Sequence, residues 1–193
     1  MPYIDTHAHV YLESFDDDFD QVIERARKAD IQGIYMPNID SGSIGKMLKA
    51  EASCPGYCFP MMGLHPCSVG KDFEKDLEKM EALLGEHIYY GIGETGTDHY
   101  WDKTYIEQQK ESLAIQAGWA KKHQLPIILH SRDSLDETIH VIENAHNRNL
   151  RGIFHCFSGS AEQAARIVAL GFYLGIGGVV TFKNSRLHEV LAG

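Results

Sequence analysis

Short apolar runs alternate with longer amphipathic stretches along the whole chain. The runs are Tyr3–His7, Gly33–Met36, Cys58–Leu64, Ile88–Ile92, Pro126–Leu129, Gly152–Phe154 and Phe172–Ile176, each apolar and often β-branched or aromatic. Continuous apolarity is what a strand covered on both faces shows, so seven buried strands are predicted. Between them, apolar positions recur at helical steps. Phe19, Val22, Ile23 and Ala26 form one stripe; Ile106, Gln109, Leu113, Ala117 and Ala120 form another; Leu135, Ile139 and Ile142 form a third. Ser134 and Ser160 stand where N-caps belong, Glu137 is placed to complete a capping box with Ser134, and Gly171 is a helix stop. The strand starts lie roughly 20–40 residues apart, the size of one βα unit. The pattern therefore predicts an α/β fold with a parallel sheet. With no linker or shift in composition, residues 1–193 read as one domain. Pattern alone leaves open whether the sheet closes.

Composition changes the picture in one respect. Apolar residues make up 44% of the 193, as in globular proteins, and 18 Lys and Arg against 27 Asp and Glu give a net charge of −9. Such a chain is no nucleic-acid coat protein, which needs a basic surface. An enzyme that meets phosphate through divalent metal stays open, because the metal brings its own charge. Lys46, Lys49 and Arg186 are scattered and form no basic track, and the acidic run Glu13–Asp20 reads as a solvated helix start. No apolar run approaches the ~20 residues of a membrane span, and the N-terminus lacks a signal peptide. Cys54, Cys58, Cys67 and Cys156 show no framework spacing, so reduced thiols and a cytoplasmic location are expected. A zinc site of Cys54, Cys58 and Cys67 is a poor match to known spacings.

Histidine placement carries the chemistry. Six of the 11 (His87, His99, His123, His140, His146 and His188) fall in helical or loop stretches and read as solvated. The other five, His7, His9, His65, His130 and His155, follow predicted strands, at the end where parallel α/β proteins bind ligands. His7 and His9 are two apart, so on an extended chain both imidazoles face one side and can reach one metal. Glu94, in Gly-Ile-Gly-Glu-Thr-Gly, is a carboxylate at a strand exit that can bridge two cations. Neighbouring strands lie about 4.8 Å apart, so ligands from the first, fourth, fifth and sixth strands cannot share ions across a flat sheet. Closing the sheet around one mouth solves this, which predicts a TIM-type (β/α) barrel with a dinuclear site.

The motifs DTHAHV at 5–10, GLHP at 63–66, GETGTDHYWD at 93–102, LHSRD at 129–133, HCFSG at 155–159 and GFYLGIGG at 171–178 make the chain resemble the TatD-type metal-dependent deoxyribonucleases, within the wider amidohydrolase-like barrels. The resemblance implies hydrolysis of DNA phosphodiesters, at single strands or frayed ends, by a hydroxide bridged between two divalent ions (Mg, Mn or Zn). It implies His7 and His9 as ligands of one ion, Glu94 as the bridge and catalytic carboxylate, and His130 and His155 as ligands of the second. His65 and Arg132 take the part of phosphate contacts. Tyr100 and Trp101 read first as anchors of their loop and second as a stacking surface for unpaired bases. Thr97 and His99 replace the usual apolar and aromatic residues beside Glu94 and are expected to alter the loop over the substrate. The family's eighth strand, with a metal-binding Asp, has no counterpart before Gly193. About seven βα units are therefore expected, with unpaired edges on the first and seventh strands and poor stability in isolation. No obligate protein partner is implied. A small-molecule amidohydrolase cleaving a C–N or ester bond is the alternative; an RNA-ester hydrolase or a metal-storage site ranks behind it.

Overall fold

A computed structural model describes residues 1–192. Seven strands alternate with helices: β1 (Tyr3–Asp5), α1 (Phe19–Lys28), β2 (Ile31–Pro37), α2 (Ile44–Ser53), β3 (Cys58–Met61), α3 (Phe73–Leu84), β4 (Ile92–Asp98), α4 (Ile106–His123), β5 (Ile127–Arg132), α5 (Leu135–Ala145), β6 (Gly152–Phe154), α6 (Ala161–Ala169), β7 (Tyr173–Leu174) and α7 (Leu187–Ala192). All strand pairs are parallel and follow chain order, β1-β2-β3 in one sheet and β4-β5-β6-β7 in a second. A single bridge between Met62 and Ile92 continues the first sheet into the second. This is the arc of a TIM-type barrel, as expected. Among the described residues β1 and β7 carry no outer partner, and Tyr3 (59% exposed) and Tyr173 (76%) stand open there.

Asn38, just past β2, stitches the two sheets where pairing is thinnest. Its side chain donates to the carbonyls of Asp40 and Gly63 and accepts from Ser43 Oγ, while its backbone N–H reaches Met61 and Gly93 carbonyls. Its own carbonyl accepts the Glu94 N–H at 3.2 Å. The seam therefore fixes the backbone of the central carboxylate.

Strand positions differ from expectation most at β4. Ile88 is 71% exposed, and the strand starts at Ile92 rather than ending there. The apolar run marks the approach to the sheet, and the polar Gly-Glu-Thr-Gly-Thr-Asp that follows is the strand itself, buried throughout. β5 likewise runs on through His130 to Arg132, and β1 stops at Asp5. Ser160 forms a capping box with Gln163, and Gly171 turns with φ +77° after α6. Ser134 occupies the N-cap of α5 but makes no cap hydrogen bond; its hydroxyl donates to the Thr97 carbonyl instead, so no box with Glu137 forms.

Candidate metal centre

Residues 94, 96 and 98 of β4 share one face, and the Glu94 and Asp98 carboxylates lie along it. The alternate face holds Thr95, bonded by Gln116 of α4, and Thr97, bonded among Ser134 and Thr138 of α5. Thr97 thus packs behind the sheet and is no part of a substrate loop. Gly96 sits between them because a Cβ there would run into the His130 carbonyl oxygen, and its φ is +145°. The close approach of β4 to β5 brings His130 against Glu94.

Glu94 is 4% exposed, and its two oxygens face different donors. Oε2 lies 3.0 Å from His7 Nε2 and 3.5 Å from His9 Nε2; Oε1 lies 3.1 Å from His130 Nδ1. Burial pushes the carboxyl pKa up, but hydrogen bonds from His130 and His7, with His9 close by, outweigh it and hold the group well below the carboxylate range. Two sets of ligand atoms within 4.8 Å of one another result: His7, His9 and Glu94, and His65, Glu94 and His130. A carboxylate shared between two imidazole sets has the donor chemistry of a divalent-metal site. The buried His7 Nδ1 has no partner and Nε2 meets Glu94, so the hydrogen bonding of that ring lies within the cluster.

His155 lies outside both sets. Its ring stacks on His7 with centroids 3.6 Å apart, which brings the end of β6 round to the end of β1. Burial, with His7 beside it, lowers its pKa to about 4. His65 is also lowered to about 4 by burial, so it is neutral at neutral pH. Its Nδ1 accepts the Cys67 N–H, which leaves Nε2 as an N–H donor. A cleft of about 450 Å³ opens beside His155, between the loops after β5 and β6.

Asp98 escaped the sequence reading, although its spacing of four from Glu94 on a strand was the available signal. It is 2% exposed; Oδ2 lies 2.9 Å from His130 Nε2, and Oδ1 accepts the N–H groups of Tyr100 and Trp101. Burial raises its pKa, but His130 and the two N–H groups together bring it down. Burial likewise opposes the charged form of His130, and the carboxylates of Glu94 and Asp98 override it, raising that pKa.

Asp98, not aromatic packing, anchors the loop. Tyr100 is 51% and Trp101 70% exposed, and the Arg132 guanidinium lies 3.6 Å over the Tyr100 ring. The expected anchoring role of these rings is therefore reversed. His99 and His123, expected in solvent, each bury an unpartnered Nε2. Cys54 and Cys58 are buried and Cys67 exposed, all free, and no metal cluster of the three exists among the described residues.

Carboxylate and imidazoles at the C-terminal mouth of a parallel barrel define a metal-dependent hydrolase. The chain belongs to the TatD related DNase family, whose pattern matches residues 4–193. It is 35% identical over 182 residues to the uncharacterized metal-dependent hydrolase YabD of Bacillus subtilis, covering 94% of this chain and 71% of that protein. It is 28% identical over 166 residues to the 3'-5' ssDNA/RNA exonuclease TatD of Yersinia pseudotuberculosis, covering 86% of this chain and 64% of that one. The crystal structure of the TatD homologue YjjV from Escherichia coli superposes with a TM-score of 0.90 at 31% identity, covering 98% of this chain and 74% of that one. The protein is thus an enzyme. No described helix is long and apolar enough to cross a membrane.

Proposed function

We propose that the protein hydrolyses phosphodiester bonds of single-stranded DNA or frayed ends, with two divalent cations held by His7, His9, Glu94, His130 and His155. The observation that carries this reading is the division of Glu94, one oxygen toward His7 and His9 and the other toward His130. Divalent cations, when bound, acidify water and neutralise phosphoryl oxygens. The chain's own groups do the rest. His65, neutral with an N–H at Nε2, donates to a phosphate oxygen rather than ligating. Arg132 presents a fork matched to phosphate. Tyr100 and Trp101 offer exposed faces on which unpaired bases stack, which favours single strands over a duplex. Histidine-rich donors suit zinc better than magnesium.

The test is incubation of the protein with single- and double-stranded DNA and Mn²⁺ or Mg²⁺, with an EDTA control and the Glu94→Ala variant. Nucleotide release that needs both metal and Glu94, and is faster on single strands, supports the reading. Inert DNA beside hydrolysis of a lactone or amide panel would replace it with the small-molecule amidohydrolase.

A further inference from the structure

Tyr11 follows His9 by two residues, as His9 follows His7. Its side chain is 4% exposed and packs in the core. The hydroxyl meets two groups: it donates to the Pro37 carbonyl oxygen, and it lies 3.0 Å from His9 Nδ1. A phenol has one proton, and a carbonyl has none to give. The proton of Tyr11 is therefore committed to Pro37, and toward His9 the oxygen can only accept. His9 Nδ1 must carry a hydrogen, and the lone pair of the neutral ring falls on Nε2. Nε2 is the atom that faces Glu94 Oε2 at 3.5 Å.

We propose that Tyr11 is a positioning residue that locks His9 in the Nδ1–H tautomer and so presents its Nε2 lone pair to a divalent cation. The proposal rests on the metal-centre reading above. It sets the two neighbouring imidazoles apart. His7 Nε2 lies 3.0 Å from Glu94, a carboxylate that only accepts, so its hydrogen is drawn to Nε2 and the lone pair to the unpartnered Nδ1, whereas the hydroxyl of Tyr11 holds the hydrogen of His9 on Nδ1 before any cation arrives. Outer partners of this kind are worth roughly ten- to a hundredfold in metal affinity.

Tyr11→Phe keeps the ring and its volume and removes only the oxygen. In the metal-free protein with ¹⁵N-labelled histidine, one- and two-bond N–H correlations report which ring nitrogen of His9 holds the proton. The wild type should show Nδ1–H alone, and the variant a mixture or Nε2–H. Titration with Zn²⁺ or Co²⁺ should show affinity about ten- to a hundredfold lower in Tyr11→Phe. In a His9→Ala background the same change should cost nothing further, because the tyrosine acts through that ring. An Nε2–H ring in the wild type, or an equal loss of affinity with and without His9, overturns the proposal. The wild-type spectrum decides the tautomer even if the variant folds poorly. Failure of the wild type to bind cations while showing Nδ1–H would overturn the metal-centre reading instead.

Discussion

Asp98→Asn is the sharpest test of how the second half of the site is set. The carboxylate does two jobs with its two oxygens: Oδ1 holds the Tyr100 and Trp101 N–H groups at 2.9 and 3.3 Å, and Oδ2 faces His130 Nε2 at 2.9 Å. A carboxylate only accepts, so both nitrogens of metal-free His130 carry a hydrogen, which agrees with its raised pKa; a cation held with Glu94 would take the place of the hydrogen on Nδ1, while Asp98 keeps the one on Nε2. Asparagine preserves the loop contacts with its oxygen and turns an NH₂ toward His130. The ring must then give up the hydrogen on Nε2 and keep the one on Nδ1, the wrong nitrogen. Flipping the amide would sacrifice two loop hydrogen bonds to save one. The expected loss is about ten- to a hundredfold in affinity for one of two cations, or about 1.4–2.7 kcal/mol. Calorimetric titration with Mn²⁺ or Zn²⁺ should show one weakened site and one unchanged. Trp101 fluorescence should match the wild type in Asp98→Asn and change in Asp98→Ala, which releases the loop as well. Wild-type affinity at both sites in Asp98→Asn would refute the reasoning.

Gly96→Ala should destabilise the fold by about 3 kcal/mol or more, because the new Cβ collides with backbone in a conformation that L side chains avoid; an unchanged denaturant midpoint would show that β4 and β5 can part freely. His65 and His155 have pKa values of about 4 in the fold against an ordinary 6.5, so between these values the unfolded chain binds more protons and stability falls as pH falls. The raised pKa of His130 acts above 6.5, where its stabilisation is lost as pH rises, and leaves the slope between 4 and 6.5 to His65 and His155. Melting of the metal-free protein across that window should show the net loss, and His65→Gln should flatten it. Trp101→Ala should raise KM for single-stranded DNA by a factor matching the ~1–3 kcal/mol of one stacked base, with kcat on a small phosphodiester unchanged; an unaltered KM would remove the ring from the substrate path.

The βα alternation was legible because strands covered on both faces must be apolar; His7, His9, His65 and His155 do lie just past strand ends, whereas Glu94 and His130, expected there too, stand inside β4 and β5. The failures have a common physical origin. β4 carries no apolar signature, since its inner face is given to Glu94 and Asp98 and its outer threonines bond Gln116, Ser134 and Thr138. Hydrophobicity therefore marked the approach at Ile88 and missed the strand. Ser134 looked like a cap because local spacing cannot reveal that a hydroxyl is claimed by a carbonyl 37 residues away. The exposed rings of Tyr100 and Trp101 were misjudged for a related reason. A backbone anchor such as Asp98 Oδ1 is invisible in composition and frees aromatics from holding their own loop.

The seam at Asn38 separates partners of unequal reach. Glu94 and His130 are 36 residues apart within one sheet, whereas Glu94 and His7 are 87 apart and belong to different sheets. A cation held by His7, His9 and Glu94, as proposed, would therefore be a clasp across the weakest join in the architecture. Its binding would draw the N-terminal half onto the rest, and a chelator would then loosen the whole arc as well as silence the chemistry.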